Sequence, residues 1–131
     1  LTNLLWVFSP TQSESFSSFP YPGDEYVDIL GPTQYADDLS IPGYADYVRY
    51  NKPIGMAEYG PSEFNSLVLT GALDDCLYAQ RLKQNPKVAF WVTWHSWNDG
   101  TKTVHMALVD NQNASGLLND SYIINSGALH K

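Results

Sequence analysis

Four short apolar runs, separated by long polar connections, constrain this chain more than any other feature. They are NLLWVF (Asn3–Phe8), YVDILG (Tyr26–Gly31), PIGMAE (Pro53–Glu58) and VAFWVTW (Val88–Trp94). Each has the length of a buried strand and ends in a loop with Pro, Gly or polar residues. None of the joints is a two-residue hairpin turn, so parallel pairing through crossovers fits better than a meander. Between the third and fourth runs, Asn65–Gln84 carries Leu69, Leu73, Cys76, Leu77 and Gln80 at spacings of three and four. That stripe predicts one amphipathic helix, closed by Asn85-Pro86. Shorter helices are expected over Tyr44–Tyr50 and Leu117–Ile124, and a helical turn at Pro22–Glu25.

Strands that alternate with helices imply a parallel sheet under helical cover, an α/β fold. A complete eightfold barrel takes about 250 residues, so four units in 131 residues amount to half of one, a (β/α)4 arrangement with outer helices. An open doubly wound sheet is the structural alternative, but no Gly-rich phosphate loop follows the first run. No linker or low-complexity tract divides residues 1–131, which read as a single unit. Strand-like sequence begins by Asn3 with no initiator Met before it, so the chain is expected to be a piece of something longer, or one trimmed to its ordered part.

Composition narrows the partners. A net charge of -7 argues against a nucleic-acid backbone, which calls for a basic face. No apolar run is long enough to span a bilayer, so no membrane partner is expected. The lone Cys76 excludes an internal disulfide and a cysteine zinc cage, and reads as a small core residue. His105 and His130 have no metal partner at helical spacing, and the acidic Asp24, Glu25 and Asp28 lack the spacing of a calcium loop, so neither metal nor cofactor is expected. Aromatic residues reach 14%, a surplus that serves either core packing or carbohydrate stacking.

One run ends oddly. In Lys52–Pro61, KPIGMAEYGP, a buried-strand pattern stops on a carboxylate, Glu58. Either the glutamate is a solvated end residue, or it is a catalytic group held at the carboxyl end of a barrel strand, where barrel sites lie.

The stretches NLLWVFSP, YPGDEYVDILG, KPIGMAEYGP and FWVTW resemble, in order and spacing, the C-terminal half of glycoside hydrolase family 26, the β-mannanases of a retaining (β/α)8-barrel clan. They look like barrel strands five to eight. The resemblance implies a retaining endo-β-1,4-mannanase acting on β-mannan or manno-oligosaccharides, secreted or extracellular. It implies that Glu58, in Ile54-Gly-Met-Ala-Glu58-Tyr-Gly60, is the nucleophile. Tyr35, which keeps the family's spacing after Gly31 but lacks its acid, would be the nucleophile's orienting partner. Trp94 would be the floor under the sugar, with His95 and Trp97 lining the same cleft. Asp99 is expected to be a turn residue, and Trp91 to belong to the core.

A retaining glycosidase needs a second carboxylate, roughly 5–5.5 Å from the first. In this family that acid follows a His or Asn at the end of strand four, and no His-Glu or Asn-Glu dipeptide occurs in the chain. Glu14 and Glu63 lie in loops near strand ends without that motif. The acid is therefore expected from elsewhere, and the two open edges of half a barrel are expected to find partners: a missing N-terminal half-barrel or a second copy of this chain. The competing readings are a non-catalytic half-barrel that self-associates or binds polysaccharide, and a related glycosidase acting on β-glucan or xylan.

Overall fold

The computed structural model describes residues 3–11 and 20–125. In chain order it runs β1 (Val7–Phe8), β2 (Ile29–Leu30), β3 (Thr33–Tyr35), α1 (Tyr44–Val48), β4 (Ile54–Met56), β5 (Glu58–Gly60), α2 (Ser66–Thr70), α3 (Cys76–Gln84), β6 (Val88–Trp91), β7 (Trp97–Asn98), β8 (Thr103–Val104) and α4 (Ala114–Leu118). Strands β1, β2, β4 and β6 form one parallel sheet in that order. Spatial order that follows chain order is the winding of a barrel wall, whereas a doubly wound sheet reverses at a switch point. The described residues are thus part of a (β/α) barrel. The short β3 and β5 prolong β2 and β4 toward their carboxyl ends and pair in parallel.

The sheet's helix-facing side carries the core. Leu30, Ile54, Met56, Tyr59, Val68, Leu73, Tyr78, Val104 and Leu117 are all buried there or in the elements packed on it. Trp91 joins them, its ring stacked 6.2 Å from that of Tyr78. On the opposite side small residues make room for large neighbours. A Cβ on Gly31 would meet Val7 at 2.3 Å, and one on Gly55 would meet the Phe90 ring at 2.0 Å. This inner face stays open: Leu5 is 70% exposed, Val92 50% and Val7 46%. Asp28 ties the β1 edge in place, accepting from the Trp6 amide at 2.8 Å.

Two helical expectations are corrected. Residues 65–84 form two helices, not one. Asn65 caps α2 by accepting from Leu67 N at 2.8 Å, and Gly71 ends it at φ +66. Any side chain there would strike the Asp110 carbonyl, 2.7 Å from the Cβ position, so the crossing of that loop sets the break. The last helix is α4, Ala114–Leu118, and it ends near the start of the expected Leu117–Ile124 span. Cys76, expected in the core, is only half-buried at the start of α3. Tyr44–Val48 and the turn at Gly23–Tyr26 fall where the sequence placed them.

Asp75, just before α3, is fully buried, and neither carboxylate oxygen has a hydrogen-bond partner among the described residues. Burial and the adjacent Asp74 push its carboxyl up to about 7. An unfolded Asp titrates near ~3.9. The folded state therefore holds its proton more tightly, and the stability this contributes is complete below about pH 4 and lost as pH rises to about 7. Asp75→Asn should remove that window and leave the chain about 2–4 kcal/mol more stable than wild type at pH 8, relative to their difference at pH 4. Denaturant melts at the two pH values measure it, and equal differences at both would refute the assignment.

Candidate functional site

Glu58 owes its position to a break in strand alternation. Leu30 stands opposite Ile54, yet Thr33 stands opposite Glu58, so the Ile54–Gly60 side carries one extra residue, a β-bulge. Ile54 and Met56 face the core, and plain alternation would send Glu58 after them. Instead both Ala57 and Glu58 leave the core side, and Tyr59 returns to it. The Tyr59 hydroxyl donates to the Leu39 carbonyl, and its ring meets Tyr78 edge-on at 5.5 Å. The bulge aims the carboxylate away from apolar packing, toward the open end of the sheet.

Tyr35 then reaches Glu58 by register. Thr33 is directly opposite Glu58, and Tyr35, two residues on, points to the same face. A long aromatic side chain spans such a diagonal. Its hydroxyl donates to Glu58 Oε2 at 2.9 Å. Burial first, and the bond to Glu58 second, push the phenol far above its ordinary range, so it remains a donor across the physiological range.

The pair opens onto a cavity of about 450 Å³ lined by Tyr35, Glu58, Ser62, Glu63, Trp94, Trp97 and Met106. Trp94 follows β6 and is 45% exposed. Its ring meets that of Trp97 nearly at right angles, with centroids 6.5 Å apart. Trp97 starts a two-stranded antiparallel hairpin, β7 with β8. Asp99 makes its turn, Oδ1 accepting from the Thr101 hydroxyl at 2.6 Å, Thr101 N at 2.8 Å and Lys102 N at 3.0 Å, and these bonds, the hydroxyl's first, hold its carboxyl down at about 2. The return strand docks on α2 through His105 N to Val68 O at 3.0 Å, which carries Met106 beneath Gly60.

The structure thus brings Glu58, Tyr35, Trp94 and Trp97 to one cavity. His95 does not line it; its exposed ring stacks on Trp94 with centroids 5.7 Å apart and braces the aromatic pair from outside. Glu14 and His130 lie outside the described residues. Of the other lining residues, Glu63 was expected only as a loop carboxylate near a strand end without the acid motif, and Ser62 and Met106 carried no prediction. Ser62 follows β5 closely, so its nearness to the strand end was a usable signal. Met106 had none, because its place depends on the hairpin folding back. The Glu63 carboxylate lies 3.9 Å from Lys102, whose ammonium sits over the Phe64 ring at 4.3 Å. Among the described residues no cluster of three or more His, Cys, Asp or Glu could hold a metal ion. A carboxylate fixed by a phenol, beside two indoles, suits attack at an electrophilic carbon of a ligand with apolar C–H faces.

Deleting Ala57 tests the bulge. With Ala57 gone, plain alternation leaves Met56 facing in, Glu58 out and Tyr59 in, and Thr33 still opposes Glu58, so the deletion should be tolerated with a stability loss of no more than about 2 kcal/mol. A chemical denaturation midpoint lowered by the equivalent of about 3 kcal/mol or more, the cost of burying an unpaired carboxylate, would mean that alternation does not set the carboxylate's face.

Comparison with known proteins gives one consistent result. Residues 1–128 match the family model described as Glycosyl hydrolase family 26. The chain is 34% identical over 132 residues to a mannan endo-1,4-beta-mannosidase of Bacillus subtilis strain 168. It is 31% identical over 133 residues to mannan endo-1,4-beta-mannosidase A and B of Caldalkalibacillus mannanilyticus. These alignments take in 98% of this chain but 33% and 23% of the relatives. The solved structure of Bacillus subtilis mannanase BCman superposes with a TM-score of 0.73 at 34% identity, over 94% of this chain and 33% of that one. Bacillus subtilis mannanase man26 gives 0.70, also at 34% identity, over 94% of this chain and 32% of that one. The chain spans about a third of the length of the Bacillus subtilis relatives.

Proposed function

Because the chain belongs to glycosyl hydrolase family 26, we propose that it carries the nucleophile side of a retaining endo-β-1,4-mannanase. The observation that carries this reading is the Tyr35 hydroxyl, 2.9 Å from Glu58 Oε2, on the wall of a cavity shared with Trp94 and Trp97. In this mechanism Glu58 attacks the anomeric carbon of a mannosyl unit. The bond to the leaving oxygen breaks as the glycosyl–enzyme bond forms, and water later hydrolyses that ester with net retention. Tyr35 holds one carboxylate oxygen, so the rotamer presented to the sugar is already selected. Trp94 and Trp97 take the C–H faces of the sugar, and their indole N–H groups serve hydroxyls.

Departure of the leaving alcohol needs a proton. Glu63, the other carboxylate on the cavity wall, follows no acid motif and is drawn toward Lys102. The acid is assigned to polypeptide beyond this chain. The open inner face and the β1 and β6 edges, which pair with no further strand among the described residues, support the same reading, since a barrel wall with free edges requires further strands to pair with and to cover Leu5, Val7 and Val92. Those strands come from the remaining half-barrel of a longer protein or, failing that, from a second copy of this chain. A polymeric substrate of this kind is met outside the cell, so secretion belongs to the reading.

Incubating the full-length protein with mannan, xylan and β-glucan tests substrate class: reducing ends should rise with mannan alone, and release only from xylan or glucan would reassign the sugar. Glu58→Ala should abolish turnover, a loss of at least about 10⁴-fold, with the melt nearly unchanged, and azide with an activated mannoside should restore product of the opposite anomeric configuration. Retained hydrolysis in the purified variant would remove Glu58 from the nucleophile role. Trp94→Ala, in contrast, should act on binding. Manno-oligosaccharide affinity measured by calorimetry is expected to fall about tenfold, in line with one stacking contact of about 1–1.5 kcal/mol. An unchanged dissociation constant would place the sugar elsewhere.

A further inference from the structure

Two fully buried polar groups lie directly behind the site, unused by the mechanism. Asp75 and Tyr78 are one helical turn apart at the start of α3, joined by the Tyr78 N to Asp75 O bond of 3.0 Å, so their side chains share a face. Both are 0% exposed. Both Asp75 carboxylate oxygens and the Tyr78 hydroxyl lack hydrogen-bond partners among the described residues. Buried polar groups are otherwise satisfied, by protein or by ordered water, and a water needs two or more polar partners. The Asp75 charge acts on the Tyr78 hydroxyl, so the two unpartnered groups face one another inside the same core, where an ordered water can serve both.

The Tyr78 hydroxyl also touches the strand that carries Glu58. It lies 3.4 Å from the Cβ position of Gly60, where Met106 Sδ comes within 3.2 Å and the Tyr35 ring within 3.7 Å. The absence of a side chain at residue 60 lets these three groups meet. We propose that Asp75 and Tyr78 enclose one internal water, and that the bridged pair, acting through Gly60, positions Tyr35 against Glu58. The positioning half rests on the reading of Glu58 as nucleophile; the water site does not.

The titratable groups facing the pair are Asp74 beside it, Tyr59 on β5 and Tyr35 on β3; none is a cation. Asp75 therefore keeps its proton toward neutrality, and the bridge is a chain of neutral hydrogen bonds behind the Tyr35–Glu58 bond. Burial raises Tyr78 as well, far above the ordinary phenol range, so its hydroxyl never ionises under working conditions.

Tyr78→Phe in the full-length protein separates this from simple packing. Removing the hydroxyl leaves the charged form of Asp75 less solvated, so the loss of stability that ends near pH 7 in wild type should extend about one pH unit higher. Adding Asp75→Asn to Tyr78→Phe should erase the window. Melting profiles of wild type and Tyr78→Phe that run parallel from pH 4 to 9 would overturn the pair. For positioning, kcat on mannan should fall about tenfold in Tyr78→Phe with KM nearly constant. An unchanged kcat would overturn that role. A wild-type protein that cleaves no mannan would sink the proposed function and leave the melting profiles to decide on the pair.

Discussion

The rest of the site depends on one extra residue in a barrel strand. Along Ile54–Gly60 the core demands apolar side chains at every second position, and a carboxylate in phase with Ile54 and Met56 would be buried without a partner. The bulge at Ala57 removes that conflict. It lets Tyr59 rejoin the core on the next residue, so strand packing and the exposure of Glu58 are satisfied together. Tyr59 in turn anchors the loop after β3 through the Leu39 carbonyl. Arg81 holds the neighbouring Asp38 carbonyl at 2.7 Å, so the loop that follows Tyr35 is tied down at two adjacent carbonyls.

A partial barrel divides its two faces unequally. The outer face is covered over β2 and β4, where α1, α2, α3 and α4 supply apolar partners for Leu30, Ile54 and Met56. The inner face has glycines at Gly31 and Gly55, over which Val7 and Phe90 lean, yet Leu5, Val7, Phe90 and Val92 remain open to solvent. Leaving several such side chains in water forgoes about 1.5–3 kcal/mol for each one that could be fully buried. That deficit is the physical pressure toward further strands, and the site sits at the rim of the same face.

Much of this was legible from residue order. The four parallel strands fall inside the four apolar runs, the α1 helix lies within Tyr44–Tyr50, and Asp99 makes the turn expected of it. The long helix failed at Gly71. Its stripe of Leu69, Leu73 and Cys76 kept helical spacing across a residue that the Asp110 loop forces into a left-handed conformation. Periodicity reports which faces are apolar, and it is blind to a backbone crossing from residues nearly forty positions away. Trp94 and Tyr35 were named through the family resemblance, which set them at and beyond strand ends; Met106 was invisible, since a hairpin places it.

The sequence by itself determined the strand set, its parallel winding and the presence of a carboxylate at a strand end, because strand length, apolar content and loop chemistry are properties of a single segment. Only the tertiary structure decided which way that carboxylate points and what stands around it. Register belongs to a pair of strands: the shift between Leu30–Ile54 and Thr33–Glu58 exists only once both are aligned. The 2.9 Å bond from Tyr35 to Glu58 follows from that shift, and no pattern along either strand alone contains it.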